Sequence, residues 1–226
     1  MIRPLALTLG EPAGIGPDIT LAAWQRREEL ALPPFYLLAD PDFLARRAQR
    51  LGLNIPIRVV EPDAAVKTFA SALPVVALGE RVTAEPGVPD QSSGPAAISS
   101  IRRAVADVFA GRAHAVVTNP VAKAVLYRTG FAEPGHTEFL AKLAQEVTGR
   151  AAHPVMMLWS PELAVVPVTI HLPVREVPQR LTANLIVETG RIVARDHGRT
   201  AAPRRHRRAR AAARRHHVSR GSAAQL

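Results

Sequence analysis

The chain has 226 residues, 47% of them hydrophobic and none of them cysteine, which is enough to bury a sizeable core in one large domain or two small ones. Without cysteine there are no disulfides, thiolate zinc sites, iron–sulfur clusters or cysteine nucleophiles, so any metal has to be held by His, Asp or Glu. The formal charge of +10 is a property of one end: residues 201–226 contain eight arginines and no acid, and residues 1–200 carry only +2, too little for a nucleic-acid-binding face on the body.

In chain order, "PLALTLG" reads as a first strand, "GEPAGIGPD" as its loop and "DITLAAWQRREEL" as a helix opened by Asp18 at the cap position. "PFYLLAD" is a second strand, followed by the helix "PDFLARRAQRLG"; "IPIRVV" and "LPVVAL" are short strands. A Pro/Gly/Ser-rich connector, "TAEPGVPDQSSGP", leads into the amphipathic helix "AAISSIRRAVADVFAG". "HAVVTNPVAKAVLY" reads as strand, turn and helix, and "GHTEFLAKLAQEVTG" as loop and helix. "AAHPVMMLW" and "LAVVPVTIHL" read as paired strands, and a turn and a long helix close the body. This alternation predicts an α/β fold of three layers, α/β/α. A first α/β domain over residues 1–120, a partial second over 121–200 and an Arg/Ala-rich tail over 201–226 without ordered structure are expected. No run approaches the ~18 uninterrupted apolar residues of a membrane span, so a soluble, unexported protein of the reducing cytoplasm is expected.

Three loops could carry chemistry. "GEPAGIGPD" lies between a strand and a helix whose free N–H groups could meet an anion. Gly14, Gly16 and Ile19 give G-x-G-x-x-I, which lacks the third glycine of the dinucleotide fingerprint, and no Gly-Lys-Ser/Thr follows. The loop therefore reads as a tight turn or as a phosphate site, with Glu11 an additional feature to test. In "EPGHTEFLAKL", Thr137 can cap a helix starting at Glu138 with His136 just before it. That places two donors at a positive helix end, suited to phosphate or carboxylate, or makes a plain capped helix with a surface histidine. "TNPVAK" adds a strand end carrying Thr118, Asn119 and Lys123.

His171 lies in "VTIHLPV", read as a strand with Val166, Val168, Ile170 and Leu172 on one face and His171 on the other. It is either a hydrogen-bonded core or edge histidine, or a metal ligand held by a stiff strand.

Taken in order, "LTLGEPAGIGPD", "VVTNPVAKAVLYRTGF", "PGHTEFLA", "MML" and "VTIHLPVREVP" resemble the 4-hydroxythreonine-4-phosphate dehydrogenase family over about residues 3–200. That resemblance implies a fold like isocitrate and isopropylmalate dehydrogenases, incomplete at the C-terminus, which would explain a nicotinamide enzyme without a Rossmann fingerprint. It implies oxidation of 4-phosphooxy-L-threonine by NAD or NADP, with decarboxylation to 3-amino-2-oxopropyl phosphate on the way to pyridoxal phosphate. It also implies a homodimer and a divalent metal (zinc, magnesium or cobalt) held by three histidines, of which His171 matches the first. His136 and Thr137 match the substrate-contacting pair. In such chemistry the cation lowers the pKa of the alcohol and stabilises the enolate left by decarboxylation.

The pattern departs from the family after "TAAP": the G-L-N-P-H-A-G-E-like loop with the second metal histidine, the third histidine and the later Lys, Asn and Arg contacts are missing from the sequence. A frameshift near residues 199–203 is the expected cause, and impaired turnover the expected result. The other readings are a catalytically inactive partner of a full-length homologue and, less favoured, nucleic-acid binding through the Arg-rich tail, which has no aromatic residue to stack on bases.

Overall fold

The structure, a computed structural model, describes residues 2–133 and 135–200, with side chains as far as Arg195. The Arg/Ala-rich tail named above lies outside the described residues. The chain divides into two compact units, the first running to Pro154 and the second starting at Val155.

The first unit is built on five parallel strands: β1 (Leu5–Thr8), β2 (Phe35–Ala39), β3 (Ile57–Val59), β4 (Leu73–Ala77) and β5 (Val116–Val117), in the spatial order β3-β4-β2-β1-β5. β2 lies at the centre, and all five of its residues are buried, as the unbroken apolar run "FYLLA" requires of a strand covered on both faces. On one face Leu37, Leu73 and Val75 form a core with Leu21 and Trp24 of α1 (Gly16–Gln25) and with Phe43 and Leu44 of α2 (Pro41–Arg50). On the other face Ala6, Tyr36, Leu38 and Val76 pack with Ala65 of the short α3 (Ala65–Thr68) and Ala104 of α4 (Ser93–Phe109). The three layers anticipated from the alternation are present. Two further helices, α5 (Lys123–Arg128) and α6 (His136–Thr148), pack on α4, α6 through Phe139 and Leu143 against Ile101 and Val105. They therefore belong to the same compact unit as the sheet, and the division falls later in the chain than residue 120.

The second unit contains an antiparallel pair, β6 (Leu158–Trp159) and β7 (Ala164–Val165), then α7 (Val177–Arg180) and the long α8 (Ala183–Thr200). The Thr182 hydroxyl caps α8 by accepting from the Leu185 amide at 3.2 Å.

Three local expectations are corrected. Asp18 does not cap α1: the helix starts at Gly16, two residues earlier, because Pro17 is favourable in a first turn. The freed Asp18 carboxylate binds Arg47 instead. Likewise α6 starts at His136, with Gly135 at the cap position and no side-chain cap, so Thr137 lies inside the first turn. The paired strands end at Val165, and residues 166–173 are irregular. Pro167 and Pro173 lack the N–H a ladder needs, and among the described residues no neighbouring strand offers that segment a partner.

Candidate functional site

The carboxyl ends of β1 and β5 form a crevice from which the chain leaves toward opposite faces. The loop after β1 leads to α1 on one side of the sheet, and the segment after β5 leads to α5 and α6, which pack on α4 on the other. Such a switch point in a parallel sheet is where ligands generally bind in open α/β folds.

The two banks are tied together by buried polar groups. The Asn119 side-chain amide donates to the Thr8 carbonyl oxygen and to the Thr20 hydroxyl, both at 2.9 Å, and the Asn119 backbone N–H donates to the Thr8 hydroxyl at 3.1 Å. The Glu11 backbone N–H donates to the Pro120 carbonyl at 2.8 Å, while its carboxylate accepts from the Ala13 amide at 3.1 Å. The second carboxylate oxygen of Glu11 is buried with no hydrogen-bond partner. Gly10 has φ +72, and a β-carbon there would lie 2.6 Å from the Pro120 carbonyl oxygen. Only glycine satisfies both conditions, so the banks approach this closely because residue 10 has no side chain.

From below, the glycine loop is held by Arg47, 5% exposed, whose guanidinium donates to Asp18 Oδ1 at 2.5 Å and to the Gly14 carbonyl at 2.7 Å. The sequence reading missed this residue. Its signal was available: Arg47 shares the apolar stripe of Phe43, Leu44 and Ala48 on α2, and a charge on a buried stripe requires a partner.

On the second bank, His136 and Thr137 open α6, and both are half-buried. The first amides of a helix have no acceptor within it, and a thirteen-residue helix presents a positive end there. Phe139 is clamped between α4 and Phe131, whose ring meets it edge-on at 4.9 Å between centroids. Burial, and secondarily the charge of Lys123, pushes the His136 imidazole below its ordinary value. Its Nε2 is buried without a hydrogen-bond partner. The Lys123 Nζ and the Glu138 carboxylate both lie against Gly135, at 4.0 and 3.1 Å from where a β-carbon would stand. The corner thus offers free amides, an ammonium group and a neutral imidazole, with one carboxylate beside them. This is a donor set suited to a phosphorylated, hydroxylated molecule.

His136 and Thr137 belong to the first unit and His171 to the second. His171 is exposed in the irregular segment, with φ +56, so the stiff strand expected to aim it is not formed. Among the described residues no group of three His, Asp or Glu side chains could hold a metal ion. The described residues alone therefore do not fit the metal centre that the resemblance implies.

By architecture the molecule is a three-layer α/β protein whose candidate ligand corner lies at the carboxyl end of a parallel sheet. The family model for the pyridoxal phosphate biosynthetic protein PdxA matches residues 31–211. The chain belongs to this family. It is 64% identical over 200 residues to the 4-hydroxythreonine-4-phosphate dehydrogenase of Bradyrhizobium diazoefficiens, a match covering 85% of this chain and 58% of that protein. To the enzyme of the same name from Xanthobacter autotrophicus it is 56% identical over 196 residues, covering 87% and 56%. Crystal structures of 4-hydroxythreonine-4-phosphate dehydrogenases from Burkholderia phymatum and Klebsiella pneumoniae superpose with a TM-score of 0.73 each at 27% identity. They cover 84% and 90% of this chain, which spans 56% and 62% of theirs. The chain thus spans little more than half the length of the curated relatives it matches. Among the described residues no helix is long and apolar enough to cross a membrane.

Proposed function

We propose that this chain supplies the substrate-phosphate corner of a 4-hydroxythreonine-4-phosphate dehydrogenase. In the complete site 4-phosphooxy-L-threonine is oxidised by NAD or NADP and decarboxylated to 3-amino-2-oxopropyl phosphate, within a homodimer and with a divalent metal. The observation that carries this reading is the half-buried His136, its Nε2 unpartnered at the start of α6, in a chain of this family.

The chain's own residues bind and orient. The α6 amides and Lys123 meet the phosphate oxygens, and Thr137 and the His136 imidazole hydrogen-bond the polar end of the substrate. His136 is held neutral by burial, so its Nε2 can donate to or accept from a hydroxyl without first losing a proton. His171 is assigned as one donor to the metal. One imidazole does not hold such an ion tightly. For the 226 residues alone we expect oxidation far slower than in the Bradyrhizobium relative.

The test is NADH formation from 4-phosphooxy-L-threonine with a divalent metal. The chain extended after Thr200 by the corresponding remainder of the Bradyrhizobium protein should turn over, and His136→Ala should slow it by about a hundredfold or more. A folded extended chain that oxidises no 4-phosphooxy-L-threonine would rule the reading out.

A further inference from the structure

The face of the sheet that carries α1 and α2, opposite the one covered by α4, holds a small basic cleft. It lies between α2 and the turn 85–88. Phe43 and Ala84, each 4% exposed, give it an apolar base, and Arg46, Arg47, Arg50 and Glu85 line it. The turn is tight: the Val88 N–H donates to the Glu85 carbonyl at 2.9 Å, and Gly87 has φ +78. The cleft encloses about 130 Å³, room for about four waters, which suits a tetrahedral oxyanion and is too small for a nucleotide.

Helical spacing gathers the charges. Arg46 and Arg50 lie four residues apart on the exposed side of α2, and Arg47 lies on its buried stripe. The three are unequally partnered. Arg47 gives Nε and Nη2 to Asp18 and to the Gly14 carbonyl, but its Nη1 is buried with no hydrogen-bond partner. Arg50 pairs with Glu85 at 2.6 Å, both side chains more than half exposed, so water and salt weaken that pair. Arg46 donates to a neutral group, the Val82 carbonyl, at 2.8 Å, and among the described residues no carboxylate pairs with it. Asp40, at the start of α2, is taken up by the backbone amides of Asp42 and Val82. Three guanidinium groups thus meet two paired carboxylates, Asp18 and Glu85. Like charges one helical turn apart repel, and a buried donor without an acceptor is costly. An oxyanion between Arg46 and Arg50, with an oxygen or a water turned toward Arg47 Nη1, relieves both.

We propose that this cleft binds a phosphoryl dianion between Arg46 and Arg50, and that Glu85 competes with it for Arg50. Guanidinium forks match such oxygens in geometry as well as charge. The bound anion also braces the glycine loop, because Arg47 donates to the Gly14 carbonyl and the Gly87 N–H donates to the Ala13 carbonyl, both at 2.7 Å. The site lies apart from the His136 corner and does not depend on the proposed reaction.

The test is a titration of the 226-residue chain with inorganic phosphate at constant ionic strength, followed by NMR. The amides of Ala84, Glu85 and Gly87 and the Nε–H groups of Arg46 and Arg50 should shift and saturate. Arg46→Gln and Arg50→Gln, at exposed positions that leave the core intact, should each weaken binding about fivefold or more. Glu85→Gln should tighten it about threefold by releasing Arg50, a gain that a purely structural ion pair would not give. His136→Ala should leave these shifts unchanged, which separates this cleft from the corner proposed to face the substrate. Glycerol 3-phosphate in place of inorganic phosphate distinguishes the sources: tighter binding assigns the phosphoryl group of a larger molecule, and equal or weaker binding assigns free phosphate. Shifts that grow without saturation, that both arginine variants leave intact, or that vanish in His136→Ala would overturn the inference. So would a Glu85→Gln chain that binds phosphate no more tightly than the parent.

Discussion

His136 is the residue on which pH acts most directly. Its folded-state value lies below the ordinary imidazole value of 6.5 because burial, then Lys123, disfavours the charged form. The unfolded chain therefore binds a proton more readily, and stability falls as pH drops from the unfolded value through the folded one. Chemical denaturation between pH 8 and 5 should show this loss, and His136→Gln should flatten it. Tyr36 acts at the other end of the scale. Burial, then its 2.8 Å hydrogen bond to the fully buried Asp107, raises its hydroxyl above the ordinary value of 10.0. The folded state therefore holds that proton longer, so stability present below pH 10 is lost as pH rises further. Alkaline unfolding of Tyr36→Phe should show a smaller dependence. Arg47 is held by geometry instead of titration. Asp18→Ala strips a nearly buried guanidinium of its carboxylate, and the denaturation midpoint should register a loss of about 3 kcal/mol.

At the scale of elements, close approaches set the sensitive positions. Gly10→Ala forces a β-carbon to within 2.7 Å of Asn119 and 2.6 Å of Pro120 in a left-handed backbone conformation. It should destabilise the first unit by about 2 kcal/mol and part the two banks of the crevice. At Gly94 on α4, a β-carbon would meet Thr129 at the end of α5 at 2.4 Å; Gly94→Val should likewise lower the midpoint by displacing α5. Most strands and helices of the first unit were legible in the sequence. β2 announced itself as a continuous apolar run and α2 and α4 as periodic stripes, because burial on two faces or on one stripe leaves those patterns. Helix starts were less legible: at α1 and α6 the chain turns helical before the side chain that could have capped it. The segment around His171 failed for a different reason. Its alternation suits a strand, but a strand needs a neighbour, and residue spacing within one segment does not report whether one is supplied. Among the candidate site residues, His136 and Thr137 lie together as their adjacency dictates. Around them, Asn119 was flagged only as a strand-end residue and Arg47 showed only as a charge on an apolar stripe; their partners Thr8, Thr20 and Asp18 were not legible, since those contacts join residues far apart in the chain.

At the scale of the whole molecule, the first unit has its own two-sided core and carries the corner proposed to face the substrate phosphate, while the chain spans little more than half of the matched relatives' length. The account rests on His136 meeting the phosphorylated substrate. Histidine ring signals followed by NMR against pH, with and without 4-phosphooxy-L-threonine, test this most directly. In the free chain His136 should titrate below the ordinary value. With ligand its titration should move upward, because the phosphate charge favours the imidazolium, and apparent affinity should rise as pH falls. A His136 resonance whose position and titration ignore saturating ligand, in the 226-residue chain and in its extended form alike, would contradict the assignment.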